Sequence, residues 1–133
     1  MPGILPMELD IYEKNGYHVF RFKEDVGLGT DLAGLKAVIE KYLTRGTRSV
    51  AIAFTQSSYL YTKSISVLIA CSEMIKDAGG HLAIIEANRD ILDILSVIDF
   101  DKVIKIFASE NELAPDPVSS FPVSKSKLKL SGF

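Results

Sequence analysis

Residues 50–85 read VAIAFTQSSYLYTKSISVLIACSEMIKDAGGHLAII, and their pattern decides the architecture. Val50-Ala51-Ile52-Ala53-Phe54 is a short unbroken apolar run, the pattern of a central strand covered on both faces. From Thr62 to Ala78 the apolar residues Ile65, Leu68, Cys71 and Ile75 return at close to the helical period, and Gly79-Gly80 stops the segment. Leu82 to Ile85 is a second short apolar run. Strand, helix and strand in succession predict a crossover unit of a partly parallel sheet.

Working outward, Glu8 to Lys14 alternates Leu9 and Ile11 with polar neighbours, and Tyr17 to Phe22 alternates again after Asn15-Gly16, a hairpin signal. Beyond the loop Gly27-Leu28-Gly29, Thr30 or Asp31 can cap a helix carrying Leu32, Leu35, Ile39, Tyr42 and Leu43 and ending near Arg45-Gly46. On the other side, a helix from Asn88 places Ile91, Leu92, Leu95 and Ile98 on one face. Val103 to Phe107 then reads as a last strand, and Ser109 can cap a short final helix through Leu113. The fold class predicted is α/β: one domain over residues 1–114, with a mixed sheet of about five strands and about four helices packed against it. Residues 115–133 change character, with Pro115, Pro117, Pro122, several serines and the run Lys125-Ser126-Lys127-Leu128-Lys129-Leu130. They read as a tail, or alternatively the Lys/Leu alternation adds an edge strand guarded by lysines.

The chain has 133 residues, 47% hydrophobic and 24% charged, enough for one core. Its net charge of -2 arises from interspersed signs, so a nucleic acid partner is not expected. The opening MPGILPMELD has no basic segment followed by a long apolar stretch, and no later run approaches the roughly 20 apolar residues of a membrane helix. A soluble cytoplasmic protein without membrane insertion is therefore expected. Cys71 sits in an apolar helical pattern and reads as core. His18 and His81 have no ligand-spaced neighbours, so no metal is expected. Gly27-Leu28-Gly29 lacks the further glycine and lysine of a phosphate loop, and no nucleophile, base and acid set is recognisable. No cofactor and no catalysis are implied. Glu24-Asp25 reads as a solvated turn and secondarily as a partner contact.

What stands out is Gln56-Ser57-Ser58-Tyr59-Leu60-Tyr61-Thr62-Lys63-Ser64, a hydroxyl-rich loop between a buried strand and a helix start. Loops at the carboxyl ends of strands in open α/β sheets commonly carry function. Thr62 has two readings. Its hydroxyl caps the helix, or it accepts a phosphate that meets free backbone N–H groups and the positive end of the helix dipole, with Lys63 adjacent. The cluster Tyr59, Leu60 and Tyr61 is consistent with a docking patch.

From Ser49 to Leu113 the sequence resembles the STAS domain family of sulphate transporters and anti-sigma-factor antagonists. The strand VAIAF, the helix ISVLIACSEMIKDAGG, the strand HLAIIEAN and the segment RDILDILSVIDFDKVIKIFASENEL carry the resemblance. Counting back from Gly79-Gly80, or forward from Phe54, the family's Asp-Ser-Ser-Gly-Leu motif falls on Tyr61-Thr62-Lys63-Ser64-Ile65. Placing it on Ser57-Ser58 instead would make the helix about five residues too long for the family. The resemblance implies a regulatory protein whose partner is an anti-sigma factor of the histidine-kinase-like class. It places the phosphoacceptor on Thr62, with Tyr59, Tyr61, Thr62, Lys63 and Ser64 at the partner surface and Glu24 and Asp25 beside it. Tyr61, Lys63 and Ser64 depart from the motif, while Ile65 and the Thr62 hydroxyl keep it. The alternative is a non-phosphorylated STAS interaction module within a larger signalling or transport assembly, which self-association without a kinase would favour; a homodimer is a further expected partner state.

Overall fold

The computed structural model describes residues 8–114. Strands β1 (Leu9–Lys14) and β2 (Tyr17–Phe22) form an antiparallel hairpin. Its turn residues Asn15 and Gly16 have φ of 54° and 89°. A tight hairpin turn whose twist matches the strands needs positive φ at both central positions, which Asn-Gly supplies at least cost.

Three crossover units follow: α1 (Ala33–Thr44), β3 (Ser49–Ala53), α2 (Thr62–Asp77), β4 (His81–Ile85), α3 (Arg89–Val97) and β5 (Lys105–Phe107). The sheet order is β1-β2-β3-β4-β5, with β2 to β5 mutually parallel. The loops after β2, β3 and β4 therefore leave from the same edge of the sheet. That edge carries the site described below.

One face of the sheet packs on all three helices. Phe20, Phe22, Val50, Ile52, Leu82 and Ile84 meet Leu35, Ile39 and Leu43 of α1, Leu68, Cys71 and Ile75 of α2, and Ile91 and Leu95 of α3. Each fully buried aliphatic side chain contributes about 1.5–3 kcal/mol relative to exposure. Cys71 belongs to this core, and desolvation pushes its thiol pKa up to about 11. The opposite face is lined by the small residues Ala51, Ala53 and Ala83, which pack with Tyr17, Val19, Ile85 and Leu113. The run at 50–54 is thus buried on both faces, as its unbroken apolar character predicts.

The helix stops follow from backbone chemistry. At the end of α2, Gly79 takes φ 89°, its N–H donates to the Lys76 carbonyl and the Gly80 N–H donates to the Ile75 carbonyl. This is the Schellman arrangement. Gly80 has a second reason to be glycine: a Cβ there would lie 1.9 Å from the Arg48 carbonyl oxygen, where β4 starts against β3. Gly46 ends α1 in the same way, with φ 105° and the Thr47 N–H on the Tyr42 carbonyl.

Several expectations are corrected. The described residues contain three α-helices rather than about four, because Glu110–Glu112 forms only a 3-10 turn and Leu113 is extended beyond it. The last strand is shorter than Val103 to Phe107, since the Val103 N–H closes a 3-10 turn on the Phe100 carbonyl and the Ile104 N–H bonds to the same oxygen. Ile98 is not core: α3 stops at Val97, Asp99 turns left-handed at φ 60°, and Ile98 is left 41% exposed. The N-cap of α1 is Leu32, while Asp31 Oδ1 accepts from the Ala33 N–H and Thr30 Oγ1 from the Gly27 N–H, both at 2.9 Å. The tail and its Lys/Leu run lie outside the described residues.

Candidate functional site

The β3–α2 loop approaches α2 through Leu60, which is 1% exposed and anchors the loop in the core. Its neighbours Tyr59 and Tyr61 point outward at 37% and 41% exposure, with ring centroids 4.9 Å apart and ring planes at 70°. The chain alternates out, in, out, so two aromatic rings form an edge-to-face pair on the surface. Thr62 and Lys63, the first residues of α2, are exposed beside them.

Ser64 does not belong to this surface. It is 2% exposed, because on α2 it shares the inward stripe of Leu68, Cys71 and Ile75 at spacings of four, seven and eleven. Nor does Thr62 cap the helix. The N-cap is Tyr61, no side chain caps α2, and no acidic residue lies in its first turn. The positive end of the α2 dipole therefore meets Lys63 and no carboxylate of its own first turn.

What fixes the loop is a set of short hydrogen bonds. The Tyr59 N–H donates to the Val26 carbonyl (2.7 Å), tying it to the β2–α1 loop. The Val26 N–H donates to Ser58 Oγ (2.9 Å), and Ser58 itself is 2% exposed. Thr55 donates to Asp25 Oδ1 (2.6 Å), which consumes its one proton, so the 2.7 Å contact between Thr55 Oγ1 and Ser58 Oγ has Ser58 as donor. Every proton in this set has an acceptor. Asn88, the N-cap of α3, accepts from the Ile91 N–H (2.9 Å) and donates to the Gln56 (2.9 Å) and Ser58 (2.6 Å) carbonyls.

Glu24 and Asp25 lie on the exposed turn after β2. With Phe22, Val26, Gly29, Thr30 and Asp31 they line a small cavity of about 190 Å³. Asp25 is anchored to Thr55, so this turn lies against the β3–α2 loop. Sequence reasoning includes Ser58 only as part of the hydroxyl-rich loop and Asn88 only as a helix start, assigns neither a tethering role, and misses Thr55. The hydroxyl density of 55–58 and an Asn directly before a helix were the available signals.

A second cluster lies on the helix-free face. Arg21, near the end of β2, donates to both Glu86 oxygens (2.6 and 2.9 Å), to Glu110 Oε1 (3.0 Å) and to the Tyr12 hydroxyl (2.8 Å). Tyr12 in turn donates to Glu110. The Arg21 guanidinium holds the Glu86 carboxyl below the usual carboxylate range, and the Tyr12 hydroxyl followed by Arg21 does the same for Glu110. Arg21 is raised further above its already high value, chiefly by Glu86. Burial, reinforced by Glu110, raises Tyr12. This is a structural clamp that ties β1, β2, the β4–α3 turn and the Glu110–Glu112 turn together.

The two histidines are accounted for by other contacts. His18 Nδ1 is 3.2 Å from Thr47 Oγ1 and its Nε2 3.3 Å from Glu13, while His81 Nε2 is 2.8 Å from the Tyr17 hydroxyl. Among the described residues no three His, Cys, Asp or Glu side chains are grouped as a metal site, and no helix is long and apolar enough to cross a membrane.

Known proteins share this fold. The STAS domain model matches residues 8–113. A Thermotoga maritima protein bearing an anti-sigma factor antagonist designation is 22% identical over 77 residues, covering 58% of this chain and 68% of the relative, and its Thermotoga neapolitana homologue is 21% identical over the same extent. The crystal structure of a T. maritima protein so designated superposes with a TM-score of 0.67 at 17% identity, covering 80% of this chain and 89% of that one. An anti-sigma-factor antagonist (STAS) domain protein from Planctomyces limnophilus gives a TM-score of 0.66 at 15% identity, covering 78% and 92%. At such identities the superpositions speak for the fold, and the family match extends across nearly all the described residues. The chain belongs to the STAS domain family.

Proposed function

We propose that this STAS-family chain is an anti-sigma-factor-antagonist-like regulatory protein that binds a protein partner and catalyses no reaction. The partner is an anti-sigma factor of the histidine-kinase-like class. The binding surface comprises Tyr59, Tyr61, Thr62 and Lys63, with Glu24 and Asp25 beside them. The observation that carries the reading is the exposed aromatic pair and hydroxyl at the uncapped start of α2, held on hydrogen-bonded loops. Exposed tyrosines on a hydrogen-bonded loop supply contact area at smaller entropic cost, and aromatic residues are enriched among the anchors of protein interfaces. The anti-sigma factor antagonist names of the relatives agree with it.

Thr62 is the phosphoacceptor in this reading. A phosphate there adds a charge of about -1.5 to -2 beside Lys63 and the free helix end, where it is locally welcome. The same charge is costly in a desolvated partner contact, and a loss of about 3 kcal/mol weakens binding roughly a hundredfold. That magnitude is sufficient for a switch. Alanine and charge-reversal variants at Thr62 and Lys63 test the placement. Capture of the partner falls in each if the surface is right, and undiminished capture by all of them refutes it.

A second reading, a constitutively bound interaction module, is favoured by Tyr61. An aromatic ring packed on Tyr59 where the family motif carries an aspartate makes the surface more adhesive and less dependent on charge. Partner capture that is indifferent to phosphate at Thr62 selects this alternative.

A further inference from the structure

We propose that Asn88 is a positioning residue of the partner surface, a clamp that sets where the Tyr59–Tyr61 pair is presented although Asn88 itself sits on a different loop. The proposal rests on the reading that this surface meets the partner. Asn88 makes three hydrogen bonds with one side chain: its oxygen accepts from the Ile91 N–H, and its amide donates to the carbonyls of Gln56 and Ser58. Those carbonyls lie on either side of Ser57, so a single amide closes the bend of the β3–α2 loop from outside. Ser58 and Tyr59, immediately beyond, then bond to Val26.

Capping alone does not account for asparagine. Aspartate and serine cap a helix equally well, whereas only the amide adds two donors to the cap acceptor. The clamp is itself held. Glu86, two residues earlier, takes φ 57°, an unusual conformation for a residue with a side chain. Its carboxylate is secured by both ends of the Arg21 guanidinium and its N–H by the Phe107 carbonyl at 3.3 Å. Arg21, Glu86, Asn88 and Ser58 thus form a continuous physical path from the helix-free face to the aromatic pair.

The test is hydrogen exchange on the full chain for wild type, Asn88→Asp and Asn88→Ala, with partner capture measured in parallel. Aspartate keeps the cap on Ile91 and removes both donors. The expected result for Asn88→Asp is exchange about ten- to a hundredfold faster at the Ser58 and Tyr59 amides, protection in α3 unchanged, and reduced partner capture. Asn88→Ala accelerates α3 as well, because it loses the cap. Unchanged exchange at Ser58 and Tyr59 in Asn88→Asp overturns the clamp, and a loosened loop with undiminished capture overturns its positioning role. If the wild type captures no partner, the proposed function fails while the exchange measurement still decides whether the clamp exists.

Discussion

Replacing Ser58 by alanine removes one oxygen from the interior of the site. Ser58 is 2% exposed and Val26, whose N–H it accepts, is 1% exposed, so water does not readily substitute. Alanine fits the space without overpacking, which isolates the loss of hydrogen bonding from any change of shape. The Val26 N–H is left without its acceptor and Thr55 Oγ1 without its donor. An orphaned buried donor costs about 1–3 kcal/mol, and about 2 kcal/mol is expected here because Thr55 keeps Asp25. With a urea m-value of about 1.5 kcal/mol per molar, the unfolding midpoint falls by roughly 1.3 M. Ser57 is exposed, and its alanine variant should stay within about 0.5 kcal/mol of wild type. Equal midpoints for Ser57→Ala and Ser58→Ala would refute the assignment of Ser58 as the tether between the two loops.

Further expectations follow from the clamp and from the helix stop. Arg21→Met strips Glu86 and Glu110 of their cation, and since all three side chains are 26–29% exposed the cost at neutral pH lies between surface and buried cases, about 1.5–3 kcal/mol. Both carboxyls have lowered pKa values in the folded chain, so their stabilisation is complete above the unfolded value of about 4.3 and is lost as pH falls through the folded values. Urea midpoints of wild type and variant should therefore converge as pH falls below the unfolded carboxylate value, and a gap that stays undiminished however far the pH is lowered contradicts the ion-pair account. Gly80→Ala forces a methyl against the Arg48 carbonyl and should cost about 3 kcal/mol or more, a fall in Tm on the order of 15 °C, whereas Gly29→Ala meets open space. Similar Tm values for the two variants would contradict the close approach of β4 to β3.

The elements legible in the sequence were those specified locally. Asn15-Gly16 announced its turn because positive φ at two positions is a property of those residues, and Val50 to Phe54 announced a central strand because nothing in it tolerates water. The start of α2 at Thr62 was legible from apolar spacing, and the same spacing also puts Ser64 on the inward stripe with Leu68 and Cys71. Placing Ser64 on the surface followed a motif position instead of the face it occupies. The Arg21 clamp was not legible: its partners Glu86 and Glu110 are 65 and 89 positions away, and only the sheet register unites them. Ser58 and Asn88 were obscured for a related reason, since a loop hydroxyl and a helix cap look alike whether they face solvent or another loop. The short helix expected after Ser109 does not form, because Glu110 to Glu112 is one turn long and Pro115 follows directly after Ala114. Its role is to deliver Glu110 to Arg21.

Capture of partners from the lysate of the cells that make this protein, with wild-type chain and a Thr62→Glu variant, read by mass spectrometry with phosphosite mapping, bears most directly on the proposed role. Recovery of a histidine-kinase-like anti-sigma factor by wild type, its loss in Thr62→Glu, and phosphate on Thr62 is the result expected. Equal capture by both chains with Thr62 unmodified would contradict the switch and leave a constitutive docking module.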